Sequence, residues 1–113
     1  MEERPWGTWH LVYEAPERAV KILTVNAGCM LSLQKHRERA EYWVPLHDGL
    51  IAYTSGDIQH GQMLMAMVPF EVPKGFTHRL INPQDHAIAL VEIITGWYRE
   101  EDIVRYHDSY GRQ

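Results

Sequence analysis

Cysteine is nearly absent from this chain. Cys29 is its one thiol, so no internal disulfide can staple the fold and packing must hold it together. Beside Met30 and Leu31, that thiol reads as a small buried apolar group. Positive charge is short as well: 11 Lys and Arg stand against 15 Asp and Glu, a net charge of −4. That balance argues against a general nucleic-acid binder. No apolar run approaches the ~20 residues that a membrane span requires, and no leader pattern is visible at the N-terminus. A cytoplasmic protein without a membrane partner is expected. Repeats, linkers, low-complexity tracts and a Gly-rich phosphate loop are also lacking. The 113 residues, 45% hydrophobic, suit one domain spanning 1–113 around one core, with the barrel proper at about 18–98 and an extension at each end.

What is there is a succession of short β-prone segments. Residues 8–14, 20–25, 30–34, 41–46, 50–55, 63–68, 70–72, 78–81 and 88–95 are rich in β-branched, aromatic or apolar side chains, which favour strands. Turn chemistry separates them, as at Asn26-Ala27-Gly28, Pro73-Lys74-Gly75 and Asn82-Pro83-Gln84-Asp85. Such spacing predicts an all-β sandwich or barrel. One helical turn is expected at 99–104, after Gly96. Met63, Met65 and Met67 read as gap-filling core, and Trp6, Trp9, Trp43 and Trp97 as core or subunit contacts.

Two segments carry candidate chemistry. Gly28-Cys29-Met30-Leu31-Ser32-Leu33-Gln34-Lys35-His36 leads through a charged run to Glu41, and Pro73-Lys74-Gly75-Phe76-Thr77 leads to His78. Alternate residues of a strand share a face, so Gln34 and His36 can point together. Glu41 lies at odd offset from both and can join them only if the chain turns within Lys35-His36-Arg37-Glu38-Arg39. A turn at Pro73 and Gly75 then delivers His78 on a later strand. Gln34, His36, Glu41 and His78 together make a set of N and O donors suited to one divalent ion, Zn, Mn, Co, Ni or Fe. His10, His47, His60, His86 and His107 read as surface or hydrogen-bonded residues.

These two segments resemble the paired motifs of the cupin superfamily, with Gln34 where many cupins carry the first His of an H-x-H pair. The fuller resemblance is to the type II phosphomannose isomerases, including the C-terminal domain of bifunctional mannose-1-phosphate guanylyltransferases. Glu3-Arg4-Pro5-Trp6-Gly7, Leu31-Ser32-Leu33-Gln34, Arg39-Ala40-Glu41 with Trp43, His78-Arg79-Leu80 with Asn82-Pro83, and Glu101-Asp102-Ile103-Val104-Arg105 with Asp108 and Tyr110-Gly111-Arg112 all carry it. The departures are Lys35-His36-Arg37-Glu38, where that family has a run of His, Tyr42 in place of a His, and the Met-rich segment 61–68. The resemblance implies a double-stranded β-helix, or jelly roll, and a metal-dependent interconversion of mannose 6-phosphate and fructose 6-phosphate through an enediol. With no nucleotide-binding loop, guanylyl transfer is not expected of these residues.

The roles follow from that reaction. Arg39 and Arg79, which flank the metal motifs, are the expected holders of the sugar phosphate. Lys21 and Glu92 interrupt otherwise apolar strands. If they point inward, burial drives them toward neutrality, a preparation for acid/base work; if outward, they are a solvated cross-strand pair. With Glu38 they are the candidate bases. Four alternatives stay open: a non-catalytic cupin that binds metal and sugar phosphate, an isomerase or epimerase for another phosphorylated or nucleotide-linked sugar, a cupin oxygenase, which would leave Gln34 unexplained, and a scaffold or assembly module that binds neither metal nor sugar. A homodimer is expected because sandwich edges need covering and aromatic residues are plentiful.

Overall fold

Strand alternation organises the structure, a computed structural model that describes residues 1–35, 38–54, 57–96 and 103–107. Among the described residues eleven strands form in chain order: β1 Glu2–Arg4, β2 Gly7–Ala15, β3 Arg18–Val25, β4 Leu33–Lys35, β5 Arg39–Pro45, β6 Ile51–Thr54, β7 Asp57–Met63, β8 Phe70–Val72, β9 His78–Ile81, β10 Ile88–Gly96 and β11 Val104–His107. They make two antiparallel sheets, a six-stranded one in the order β1-β2-β3-β10-β5-β8 and a five-stranded one in the order β11-β4-β9-β6-β7. Long crossings between non-consecutive neighbours, β3 to β10 and β4 to β9 among them, give the jelly-roll form. No helix among the described residues is long and apolar enough to cross a membrane.

Burial alternates along the central strands. In β5, Arg39, Glu41, Trp43 and Pro45 are buried while Ala40, Tyr42 and Val44 are half-buried. In β10, Ile88, Leu90, Glu92 and Ile94 are the inward set. Leu23 and Val25 of β3, Ile88 and Leu90 of β10, Leu80 of β9 and Ala52 of β6 join Trp6, Leu31, Leu50 and Leu64 in one apolar cluster. Those side chains fill one end of the space between the sheets. Burying such groups drives folding at roughly 25 cal/mol per Å2. The other end of the same inner faces is polar, with Lys21, Arg39, Glu41, His78 and Glu92 all buried. Trp43 sits at the boundary, stacked on Phe70 at 5.9 Å and edge-on to His78 at 5.6 Å between ring centroids.

Three expectations need correction. The segment 63–68 is not a strand, because β7 ends at Met63 and the chain then turns. That turn is strapped to the β5–β6 connection by Leu64 N to Leu50 O, Ala66 N to Asp48 Oδ1 and Met67 N to Pro45 O, at 2.7–2.8 Å. Met67 has a φ of 65°, which no extended strand allows. The methionines therefore do not fill the core: Met63, Met65 and Met67 are 50–67% exposed, and Leu64 alone of that stretch turns inward. The helical turn at 99–104 also fails where it can be followed. Val104 opens β11, paired with Lys35 of β4, while 99–102 lie outside the described residues. β1 and most of β7 are additional strands, the latter built from a polar, Gly-containing sequence that carries little β signal.

Asn82 ties the apolar end together. Its side-chain amide donates to the carbonyls of Val25 at 2.9 Å, His86 at 2.9 Å and Asn26 at 3.3 Å, and its Oδ1 accepts from Gln84 N at 3.0 Å. It is fully buried, and its bond to Val25 O is buried with it, so its loss would leave that carbonyl without its amide donor in the interior. Asn82→Ala is expected to lower the unfolding free energy by about 2–4 kcal/mol, since each bond contributes ~1 kcal/mol and each orphaned group costs more. Urea denaturation followed by tryptophan fluorescence measures it, and a loss below about 0.5 kcal/mol would contradict the clamp.

Candidate functional site

Register explains why charged side chains meet in the interior. Lys21 of β3 lies opposite Glu92 of β10, which lies opposite Trp43 of β5. One step along, Ala19, Ile94 and Glu41 form the next inward row. Glu41 and Trp43 share a face two residues apart, so one indole reaches both acids. Trp43 Nε1 donates to Glu41 Oε1 at 3.2 Å and to Glu92 Oε1 at 3.4 Å. Arg39, next along the same face, places Nη2 at 3.1 Å from Glu41 Oε2. Lys21 sets its ammonium 4.1 Å from the centre of the Trp9 ring, a cation–π contact.

The second sheet supplies the facing wall. His78 of β9 pairs with Gln34 of β4 and, on its other side, with Thr54 of β6. The turn that delivers it is the one expected from sequence, with Phe76 N bonded to Pro73 O at 3.1 Å and Gly75 at a φ of 81°. His78 Nε2 lies 3.7 Å from Glu41 Oε1, and its Nδ1 lies 3.2 Å from Phe76 O. Gln34 Oε1 accepts from Ser32 Oγ at 2.7 Å.

Burial sets the protonation states. Desolvation, opposed by the Phe76 carbonyl and by Glu92, pulls His78 down to about 4. The ring is therefore neutral near pH 7, and its approach to Glu41 is a contact between an imidazole and a carboxylate rather than an ion pair. With Nδ1 donating to Phe76 O, Nε2 is left as the lone-pair nitrogen, the form that ligates metals. Desolvation raises Glu92 to about 8, helped by the charge of Glu41 and a hydrogen bond shared with it, against the pull of Lys21 and Arg39. Glu92 therefore holds its proton near pH 7.

Measured against expectation, the fold brings together Glu41, His78, Lys21, Glu92 and Arg39, with Gln34 opposite His78 in register. His36 lies outside the described residues. Among the described residues no three His, Cys, Asp or Glu side chains converge as a metal cluster; Gln34 is not of those types. Glu38 is half-buried just before β5. Arg79 alternates with His78 on β9 and so starts from the opposite face, beside Tyr53 of β6. Sequence reasoning missed Trp43 as the bridge between the acids, although its place two residues beyond Glu41 was the available signal. Trp9 as the partner of Lys21 had none, because hairpin register alone brings it near.

Comparison with known proteins agrees with this geometry. The family described as mannose-6-phosphate isomerase C-terminal matches residues 2–108. The xanthan biosynthesis protein XanB of Xanthomonas campestris pv. campestris (strain B100) is 40% identical over 110 residues, covering 96% of this chain and 23% of its own length. The mannose-1-phosphate guanylyltransferase of Escherichia coli (strain K12) is 38% identical over 110 residues, covering 96% and 22%. The chain thus spans less than a quarter of these curated relatives. Among solved structures, the cupin domain of Schizosaccharomyces pombe Cnp3 superposes with a TM-score of 0.71 at 13% identity, over 78% of this chain and 63% of that one. That likeness establishes the cupin fold.

The buried titrations have a consequence for stability. Because Glu92 is raised above its ordinary 4.5, its contribution is fully present below pH 4.5 and is lost as pH rises through about 8. His78 is lowered from 6.5, so its contribution grows as pH rises from about 4 to 6.5. The two oppose each other below pH 6.5, and above it Glu92 acts alone. In chelator-treated protein the melting temperature is expected to fall between pH 6.5 and 8, and Glu92→Gln is expected to flatten that decline. Equal slopes in the two proteins would show that Glu92 does not carry the extra proton.

Proposed function

Since this chain belongs to the mannose-6-phosphate isomerase C-terminal family, we propose that it is a metal-dependent aldose–ketose isomerase interconverting mannose 6-phosphate and fructose 6-phosphate. The observation that carries the reading is the meeting of Glu41 and His78 beside Glu92 at the polar end of the barrel. The donor chemistry fits a divalent ion: a carboxylate, a neutral imidazole with its second nitrogen engaged by a carbonyl, and the amide oxygen of Gln34. Glu41, His78, Gln34 and His36 would hold it. A bound divalent cation supplies electrostatic stabilisation of negative charge on the sugar's O1 and O2.

The remaining work belongs to this chain's own side chains. Isomerisation removes the proton from C2 of the open-chain aldose and returns one to C1, while the hydroxyl proton passes from O2 to O1 and the carbonyl moves from C1 to C2, with no net change in atoms. Glu92, buried between Lys21 and Trp43, is the group assigned to take and return that proton. Lys21 stands across from it in register and balances its charge. Trp43 orients both acids through one N–H, and Arg39 holds Glu41 in place. Arg39, on the inner face and with five N–H donors, is also the candidate for the sugar phosphate. Arg79 is not assigned to it. Guanylyl transfer is the named activity of relatives more extensive than this chain, and nothing in the site described here calls for it.

The test follows mannose 6-phosphate in heavy water by proton NMR, with the protein loaded in turn with Zn, Mn, Co, Ni and anaerobic Fe(II). Fructose 6-phosphate is expected to appear with deuterium at the exchanging carbon. His78→Ala is expected to abolish turnover and lower metal stoichiometry. Glu92→Gln is expected to cut exchange at least ~100-fold while keeping the thermal shift produced by the sugar phosphate. Absence of both conversion and exchange with every metal would overturn the isomerase, and a retained thermal shift would then identify a non-catalytic sugar-phosphate binder.

A further inference from the structure

A buried ammonium has to be held by its surroundings. Lys21 is 5% exposed, and taking such a charge out of water is costly unless the interior compensates it. Part of that compensation is an aromatic ring. Lys21 Nζ lies 4.1 Å from the centre of the Trp9 indole, well inside the range of a cation–π attraction, which is strongest for tryptophan and grows when the cation is desolvated. Trp9 is half-buried and packed against the apolar cluster, so the ring is itself held. Register explains the meeting. Leu11 of β2 stands directly opposite Lys21 and Trp9 opposite Leu23, which makes Trp9 the diagonal neighbour on the same face, within reach of a long side chain.

We propose that Trp9 is a positioning residue of the reaction, fixing the Lys21 ammonium beside Glu92 without itself adding a negative charge. The inference rests on the isomerase reading above, in which Lys21 balances the charge of Glu92. Sheet order supplies the geometry. β3 runs between β2 and β10, so Lys21 has Glu92 across from it on one side and Trp9 on the other. The indole thus sets how far the ammonium can lean toward β10. A carboxylate at position 9 would also anchor Lys21, but it would cancel the field that reaches the reacting groups. A ring quadrupole attracts a cation and leaves the net charge in place. Positive charge fixed in advance, where the reaction develops negative charge, stabilises the transition state with no reorganisation.

A second cation approaches the same ring. Arg4 Cζ lies 5.3 Å from its centre, while Arg4 Nη1 donates to Glu3 O at 2.9 Å and lies 3.7 Å from Glu2 Oε2. Arg4 belongs to β1, one strand beyond β2 and further from Glu92. It shares Trp9 with Lys21 but has no part in the proposed reaction, which makes it the control.

The test replaces Trp9, at that one position, by mono-, di- and tetrafluorotryptophan, which weaken the attraction stepwise at nearly constant shape, and sets Trp9→Phe and Trp9→Leu beside them. In the metal-loaded protein turning over mannose 6-phosphate, kcat is expected to fall along the fluorinated series with KM little changed. Trp9→Leu is expected to lose about tenfold or more in kcat, and Trp9→Phe to recover much of that loss. Arg4→Gln is expected to leave kcat unchanged. In chelator-treated protein, proton NMR is expected to find the Lys21 Hε signals upfield of those of Lys35 and Lys74, because the indole face shields them, and to find them restored in Trp9→Leu. That readout needs no turnover. An active enzyme with a flat fluorinated series, a kcat loss in Arg4→Gln as large as in Trp9→Leu, or Lys21 Hε signals at their ordinary position would each overturn the positioning role and leave the isomerase standing. A native protein with no turnover would instead overturn the isomerase reading, and the role of Trp9 with it.

Discussion

One indole N–H holds the site together. Trp43 Nε1 lies between the carboxyl groups of Glu41 and Glu92, and two acids this close in a dry interior cannot both ionise without strong compensation. The surroundings read as that compensation. Arg39 faces the outer oxygen of Glu41, Lys21 flanks Glu92 across the sheet, and Glu92 keeps its proton near pH 7. The neutrality of His78 follows from the same dryness. Remove the tryptophan bridge and the two acids lose the donor that fixes their spacing. The apolar stack of Trp43 on Phe70 would go as well.

That polar end has a structural cost, which the rest of the molecule offsets. A sandwich is held by the apolar side chains between its sheets, and here four of the twelve buried positions on β3, β5 and β10 are given to Lys21, Arg39, Glu41 and Glu92. The apolar cluster around Leu80, Leu90 and Trp6 carries the burial at the other end, with Asn82 closing the loops that meet there.

Fold and function rest on different grounds. The cupin fold is common to proteins with unrelated activities, and a superposition at 13% identity speaks to architecture alone. Membership of the isomerase family rests on a match over residues 2–108. The relatives that share it are biosynthetic proteins of which this chain spans 22–23%. What can be argued chemically is therefore what this set of side chains does, and its paired acids, neutral imidazole and adjacent cations suit proton transfer next to a stabilised oxyanion.

Much was legible in the amino-acid order. β-branched and aromatic runs marked β3, β5 and β10, and Pro73 and Gly75 marked the turn before His78, because turn chemistry and strand period are local properties. Where the signal was local but ambiguous, reading failed. Methionines at 63, 65 and 67 look like core until backbone bonds to Leu50, Asp48 and Pro45 hold that segment outside. Which way Lys21 and Glu92 point was undecidable along the chain, since both parities of β10 are apolar: Ile88, Leu90 and Ile94 on one side, Ala89, Val91 and Ile93 on the other. Period-two patterning carries no information when both faces are hydrophobic. Pairing with β3 and β5 turned the acid inward, and with it decided that Trp43 bridges two carboxyls and that Arg39 faces Glu41. Those are contacts between strands distant in sequence, set by register across the sheet, and register is a property of the assembled fold.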